Sequence, residues 1–201
     1  MERFTVHTGQ AVPLKQDNVD TDQIIPVRFL TRSGIAGYGE NLFNDWREDP
    51  EFVLNDPRFA DASVLVAGRD FGIGSSREAA VWALTGYGFR AVLSPRFGDI
   101  FHGNALSHGL LPVTITEDAT EELWELIDGD PSLSMTIDLG AEEVRLADVV
   151  VPFEVDRHAR QRLMQGLDDI SLTERHTAHI ADFEGRRRPT MPTTGRRREV
   201  S

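Results

Sequence analysis

The run Asp70-Phe71-Gly72-Ile73-Gly74-Ser75-Ser76-Arg77-Glu78 sets two glycines, two hydroxyls and an arginine side by side, and it reads as a pocket for a carboxylate. Glycines let consecutive backbone N–H groups turn toward a ligand, and a helix N-terminus behind them adds roughly half a positive charge. Arg77 supplies a fixed cation whose fork fits a carboxylate or a phosphate. The competing account is a tight turn whose serines merely cap the helix. Other glycine-rich motifs fit poorly. No lysine follows the glycines as in a Walker A loop, a dinucleotide fingerprint needs a third glycine, and there is no Gly-x-Ser-x-Gly elbow. A second polar cluster, Asp20-Thr21-Asp22-Gln23, precedes Ile24-Ile25-Pro26. In an extended chain its two acids point to one side; a turn with solvated carboxylates is the alternative. With Arg32 downstream, the inventory is an acid, a hydroxyl as candidate base and two arginines. That is what holding a polycarboxylate and moving a proton beside one of its carboxyls requires.

Elements must position these groups. Ala62-Ser63-Val64-Leu65-Val66-Ala67-Gly68 is a short run rich in β-branched residues, and Ala79-Ala80-Val81-Trp82-Ala83-Leu84 is apolar with strong helix formers, so the glycines fall at a strand-to-helix crossover. Strand-like segments at 63–68, 90–94 and 110–115 alternate with helical ones at 76–85, 96–107 and 117–128, which predicts an α/β core with a partly parallel sheet. Strands at 134–139 and 142–146 flank Gly140-Ala141 as a hairpin. The N-terminal region carries strands at 4–7 and 11–14, and Gly34, Gly37 and Gly39 predict a mobile loop. Ser171-Leu172-Thr173-Glu174 is a capping-box pattern opening a helix through Phe183. His176 and His179 share a face of that helix, but a metal site needs further ligands that the sequence does not place. Trp46, Trp82 and Trp124 are assigned to packing.

The chain's 201 residues suffice for one well-buried domain, expected at 1–188, and its 40% hydrophobic and 27% charged residues are ordinary for a globular protein. No stretch approaches the roughly 18 apolar residues of a membrane span, and the N-terminus has no apolar signal region. The absence of cysteine predicts a cytoplasmic location and means that thiolates of this chain cannot ligate an iron–sulfur cluster. A net charge of −12 argues against nucleic acid as a partner. The charge is uneven, because residues 185–201 hold six arginines and one glutamate, a net +5, leaving −17 on residues 1–184. Residues 189–201 read as a basic, disordered tail.

Taken together, several motifs resemble a family. Asn18-Val19-Asp20-Thr21-Asp22-Gln23-Ile24-Ile25-Pro26, the Phe-Gly-x-Gly-Ser-Ser-Arg-Glu run, Tyr87-Gly88-Phe89, Asp99-Ile100-Phe101 with Asn104, Gly109-Leu110-Leu111-Pro112 and Gly166-Leu167-Asp168-Asp169-Ile170 resemble the small subunits of 3-isopropylmalate dehydratase, in the aconitase superfamily. The likeness runs from about residue 3 to 188. It implies a three-layer β/β/α swivelling domain that docks on a separate large subunit holding a 4Fe–4S cluster, with no metal bound by this chain. The reaction implied is the interconversion of 2-isopropylmalate and 3-isopropylmalate through 2-isopropylmaleate, a step of leucine biosynthesis.

By the same resemblance Ser75 is the base, as an alkoxide, and Ser76, Arg77 and Arg32 hold substrate carboxylates. Asp22 falls where the superfamily has an acid that pairs with a partner-chain histidine and helps protonate the leaving hydroxyl. Arg28-Phe29-Leu30-Thr31-Arg32 matches the loop that reads the substrate's γ group, and an apolar Leu30 suits an isopropyl group. The family usually reads Gly-Ser-Ser-Arg-Glu-His, whereas Ala79 occupies the sixth position here; Thr31 stands where lysine or glutamine is frequent. Two alternatives remain: a dehydratase subunit for another 2-alkylmalate, and a non-catalytic carboxylate-binding module. The latter predicts loss of the base or the arginines, and Ser75, Ser76, Arg77 and Arg32 are all present.

Overall fold

Strand Val6–Leu14 (β1) divides its hydrogen bonding between two neighbours, and the rest of the sheet grows outward from it. The computed structural model describes residues 1–30 and 37–187. Within β1, residues 6–10 pair antiparallel with Ser134–Asp138 (β5), while residues 10–14 pair parallel with Ala62–Ala67 (β2), with a register shift between Gln10 and Ala11. Parallel neighbours Ala91–Ser94 (β3) and Leu111–Thr114 (β4) extend one side, and Glu143–Leu146 (β6) and Val149–Pro152 (β7) extend the other. Among the described residues the sheet order is therefore β4-β3-β2-β1-β5-β6-β7. The parallel strands are mostly apolar, with Val64, Leu65, Val66, Val92 and Leu93 inaccessible to solvent, as expected of strands covered on both faces.

The crossovers are helices Glu78–Tyr87 (α2), Asp99–His108 (α3) and Glu117–Gly129 (α4), following the short helix Thr21–Ile24 (α1). α2 is rich in alanine and buries Ala79, Ala80, Val81, Ala83 and Leu84, so it is apolar nearly all round and deeply packed. α4 is amphipathic, capped by Thr116 and seated by Leu123 and Ile127, while the Trp124 indole N–H donates to the Val66 carbonyl at 2.9 Å. Short 3₁₀ turns fill residues 39–59. The glycines predicted to loosen this region act otherwise at Gly39: a Cβ there would stand 2.2 Å from the Gly86 carbonyl carbon, so the residue permits close approach to α2.

The chain divides into two compact units, Met1–Leu167 and Asp168–Ser201. The first ends with helix Arg157–Gln165 (α5), capped by Asp156. In the second, the helix predicted to run through Phe183 is two helices, Asp169–Glu174 (α6) and Thr177–Arg186 (α7). Its N-cap is Asp168, whose carboxylate accepts from the Ser171 N–H at 2.7 Å, so Ser171 receives the capping bond instead of providing the cap. The tail expected at 189–201 lies outside the described residues.

Candidate active site

The glycine–serine turn leaves the carboxyl end of β2 and is clamped between two segments before it reaches α2. On one side the Phe71 N–H donates to the Arg96 carbonyl at 3.0 Å and the Gly98 N–H to the Phe71 carbonyl at 2.9 Å. On the other, the N–H groups of Gly72 and Ile73 both donate to the Val19 carbonyl, at 2.7 and 3.2 Å. Gly72 has φ +74°, and a Cβ on it would stand 2.3 Å from Cγ of the buried Phe101, so both the conformation and the packing demand glycine. Asp70 belongs to the scaffold: its carboxylate lies 2.8 Å from Arg96 Nε and 3.7 Å from Arg69 Nε.

Ser75 and Ser76 are exposed, and among the described residues neither hydroxyl makes a hydrogen bond. The capped-turn account is thereby excluded. The residue at the N-cap of α2 is Arg77, in an extended conformation and with no side-chain cap. The helix N-terminus is left uncapped beside two unused hydroxyls, as an anion site requires.

Asp20 and Asp22 do not share one side of an extended chain, because the cluster folds into α1. Asp20 is its N-cap, accepting from the Gln23 N–H at 2.8 Å while the Gln23 side chain accepts from the Asp20 N–H at 2.8 Å. Asp22, in the first turn of α1, is half exposed and ion-paired with Arg77, of whose side chain only 16% is exposed. Thr21 lies between them, 1% exposed; its N–H donates to the Ile73 carbonyl and its hydroxyl to the Ser75 carbonyl, each at 3.0 Å. Three consecutive residues therefore cap α1, fasten the turn and neutralise the arginine.

Leu30 ends the 3₁₀ turn Val27–Phe29, half-buried against the core. Beside it Arg28 is held by Asp45, and by Asn44 at 2.8 Å, and its guanidinium lies 4.7 Å from the Phe29 ring centre. Thr31 and Arg32 lie outside the described residues. Ala79 is 7% exposed in the first turn of α2. Glu78 beside it is met from α3 by His108 Nε2 at 3.3 Å, and the His108 ring stands edge-on to Trp82, centroids 5.9 Å apart. Sequence reasoning gave no role at this site to Thr21, which bonds the turn, or to His108, which meets Glu78 at the start of α2. Thr21 sits inside a recognised motif, whereas nothing in the sequence brings α3 to Glu78.

Among the described residues no group of three or more histidine, cysteine, aspartate or glutamate side chains is placed to hold a metal ion. His176 and His179 stack on each other, centroids 6.0 Å apart. Two histidines away from the turn are perturbed. Burial pushes the His102 imidazole below its ordinary value, and burial assisted by Arg90 does the same to His7.

A family model described as the aconitase C-terminal domain matches residues 1–118. The chain is 57% identical over 194 residues to the 3-isopropylmalate dehydratase small subunit of Thermobifida fusca, covering 96% of this chain and 100% of that protein. It is 58% identical over 194 residues to the protein of the same name from Acidothermus cellulolyticus, covering 96% and 98%. The crystal structure of 3-isopropylmalate dehydratase from Methanocaldococcus jannaschii superposes with a TM-score of 0.67 at 25% identity, over 89% of this chain and 99% of that one.

Proposed function

Because the chain belongs to the family of 3-isopropylmalate dehydratase small subunits, within the aconitase C-terminal domain family, we propose that it is the proton-handling subunit of a heteromeric hydro-lyase. Its reaction interconverts 2-isopropylmalate and 3-isopropylmalate through 2-isopropylmaleate, in leucine biosynthesis. The three-layer β/β/α domain expected from the sequence is the fold of this family.

The observation that supports the site most directly is the meeting of Asp22 and Arg77 beside two unbonded serine hydroxyls at an uncapped helix start. Arg77 and Ser76 hold one substrate carboxylate. Ser75, ionised, takes the proton from the carbon next to that carboxylate; the neighbouring carbon loses hydroxide, so the sum is loss of water. Readdition with the two carbons exchanged gives the isomer. An alkoxide needs local positive potential, and the helix N-terminus, the amides of the turn and Arg77 supply it. Asp22 moves from Arg77 to a cationic group of the large subunit and assists the hydroxyl. By the same resemblance Arg32 is assigned to the second carboxylate, and Leu30 and Thr31 to the loop that reads the isopropyl group.

An iron–sulfur cluster requires thiolate ligands, and this chain has no cysteine. Its residues do not fit that group, which we assign to the large subunit, and no step above runs through it. A cytoplasmic location is consistent with a cysteine-free chain, and no described helix is long and apolar enough to cross a membrane.

The test is anaerobic co-expression with the cluster-bearing large subunit from the same source, followed by assay of a panel of alkylmalates. Isopropylmalate is expected to turn over fastest, and Ser75→Ala to abolish turnover. Faster conversion of homoaconitate would overturn the substrate assignment, and full turnover by Ser75→Ala would revive the non-catalytic reading.

A further inference from the structure

We propose that Thr21 is a positioning residue that fixes the backbone from which the Ser75 hydroxyl projects. The inference rests on Ser75 being the base. Gly74 is the loosest joint of the turn, with φ +88° and no side chain. The carbonyls on either side of it, those of Ile73 and Ser75, both accept hydrogen bonds from Thr21: one from its N–H and one from its hydroxyl, each at 3.0 Å. One residue therefore brackets the joint. Gly74 also lies directly over it, since a Cβ there would be 3.4 Å from Asp20 Cβ and 3.8 Å from Thr21 Oγ1.

Three further facts make this bracket decisive for Ser75. The Ser75 side chain is exposed and its hydroxyl has no hydrogen-bond partner among the described residues, so the backbone alone sets the Cα–Cβ direction from which that hydroxyl swings. Thr21 is itself well anchored, buried to 1% exposure between the cap Asp20 and Ile24, with its carbonyl receiving the Ile25 N–H at 3.0 Å. The Thr21 hydroxyl, moreover, is not needed to start α1, because Asp20 and Gln23 form the capping box there. A buried hydroxyl that is free of local duties and directed at the carbonyl of the reacting residue is suited to preorganisation, in which small displacements cost rate more than binding.

The experiment uses the complete complex with the large subunit and compares Thr21→Val, which keeps the outline and removes the donor, with Thr21→Ser, which keeps the donor. Thr21→Val is expected to lower kcat by about 10- to 100-fold. Its KM for isopropylmalate should change by less than about threefold, because Arg77 and Ser76 still hold the carboxylate. Thr21→Ser should restore kcat to within about threefold of the parent. Amide hydrogen exchange at Gly72 and Ile73, whose N–H groups donate to the Val19 carbonyl, should accelerate in the valine variant and not in the serine variant. A valine variant with kcat within about twofold of the parent, a serine variant as impaired as valine, or unchanged exchange would each overturn the proposal. Ser75→Ala in the same assay separates the two readings. If it keeps full turnover, the base assignment is at fault; if it is inactive while Thr21→Val is fully active, only the positioning role fails.

Discussion

In the chain on its own, the arginine assigned to the substrate is already occupied, which makes Asp22→Asn the most informative perturbation. Asp22 closes an ion pair on Arg77, so a carboxylate that approaches the guanidinium must displace it. Asp22 is half exposed while Arg77 is mostly covered, which puts the pair near the upper end of the 0.2–1 kcal/mol typical of accessible ion pairs, or about 1 kcal/mol. Removing that competition tightens carboxylate binding about fivefold, since ~1.4 kcal/mol is tenfold. A second negative charge within about 5 Å of the incoming carboxylate costs a further ~0.8 kcal/mol in water. Asp22→Asn removes this as well, so the total gain is roughly 5- to 30-fold.

The assay is titration of the isolated full chain with succinate, a dicarboxylate that cannot be dehydrated, followed by calorimetry or NMR shifts. The gain should shrink as salt is raised, because half of the pair is solvent-exposed. In the assembled enzyme the same substitution should lower kcat, because the proposed function gives the Asp22 carboxylate a part in the departure of the hydroxyl. Opposite signs in the two assays are the signature of a residue that blocks the site alone and works in the complex. If Asp22→Asn leaves succinate affinity in the isolated chain unchanged or weaker, the competition argument is wrong.

Gly72→Ala should destabilise the chain by roughly 2–5 kcal/mol, combining left-handed strain of ~1–2 with ~1–3 for forcing Phe101 aside. That corresponds to a fall in Tm of roughly 5–20 °C by calorimetry, and a change under 2 °C would contradict the contact. Burial lowers the imidazoles of His7 and His102 in the folded chain, whereas unfolded histidines titrate near 6.5, so below that pH the unfolded state binds more protons. Stability should therefore be full above about pH 6.5 and decline as the pH falls toward the depressed folded values. His102→Gln should flatten the decline in a Tm-versus-pH series, and an unaltered slope would refute the account. Ala79→His should lose ~1–3 kcal/mol through overpacking at a buried position yet leave the ranking of alkylmalates unchanged, because His108 already stands against Glu78. A reordered ranking would make position 79 a specificity determinant.

How much of this was legible in the sequence depended on whether one segment obeyed one pattern. β2, β3 and β4 are short, apolar and buried on both faces, and they fell within two residues of their predicted bounds. β1 was read as two strands because its halves have different surroundings: residues 6–10 are partly exposed on the antiparallel side, and 11–14 are wholly buried on the parallel side. The alternation breaks at the register shift between them, so no single periodicity spans the strand. α5 escaped because Arg157–Gln165 is mostly charged or polar and fully buries only Leu163, and β7 because Val149–Pro152 is a four-residue edge strand that ends in proline.

The site divides along the same line. Glycines, hydroxyls and an arginine announce their chemistry by type, so Ser75, Ser76 and Arg77 were visible as a set. What they lack is a mark for contact across sequence: Asp22 meets Arg77 55 residues away, and Thr21 meets Ser75 54 residues away. A threonine between two aspartates reads as one more polar residue until the fold shows that its neighbours already cap α1 and neutralise Arg77, leaving its buried hydroxyl to the carbonyl of Ser75. Residue type reveals which atoms can react. Only the crossing of α1 beneath the turn determines which of them are held still.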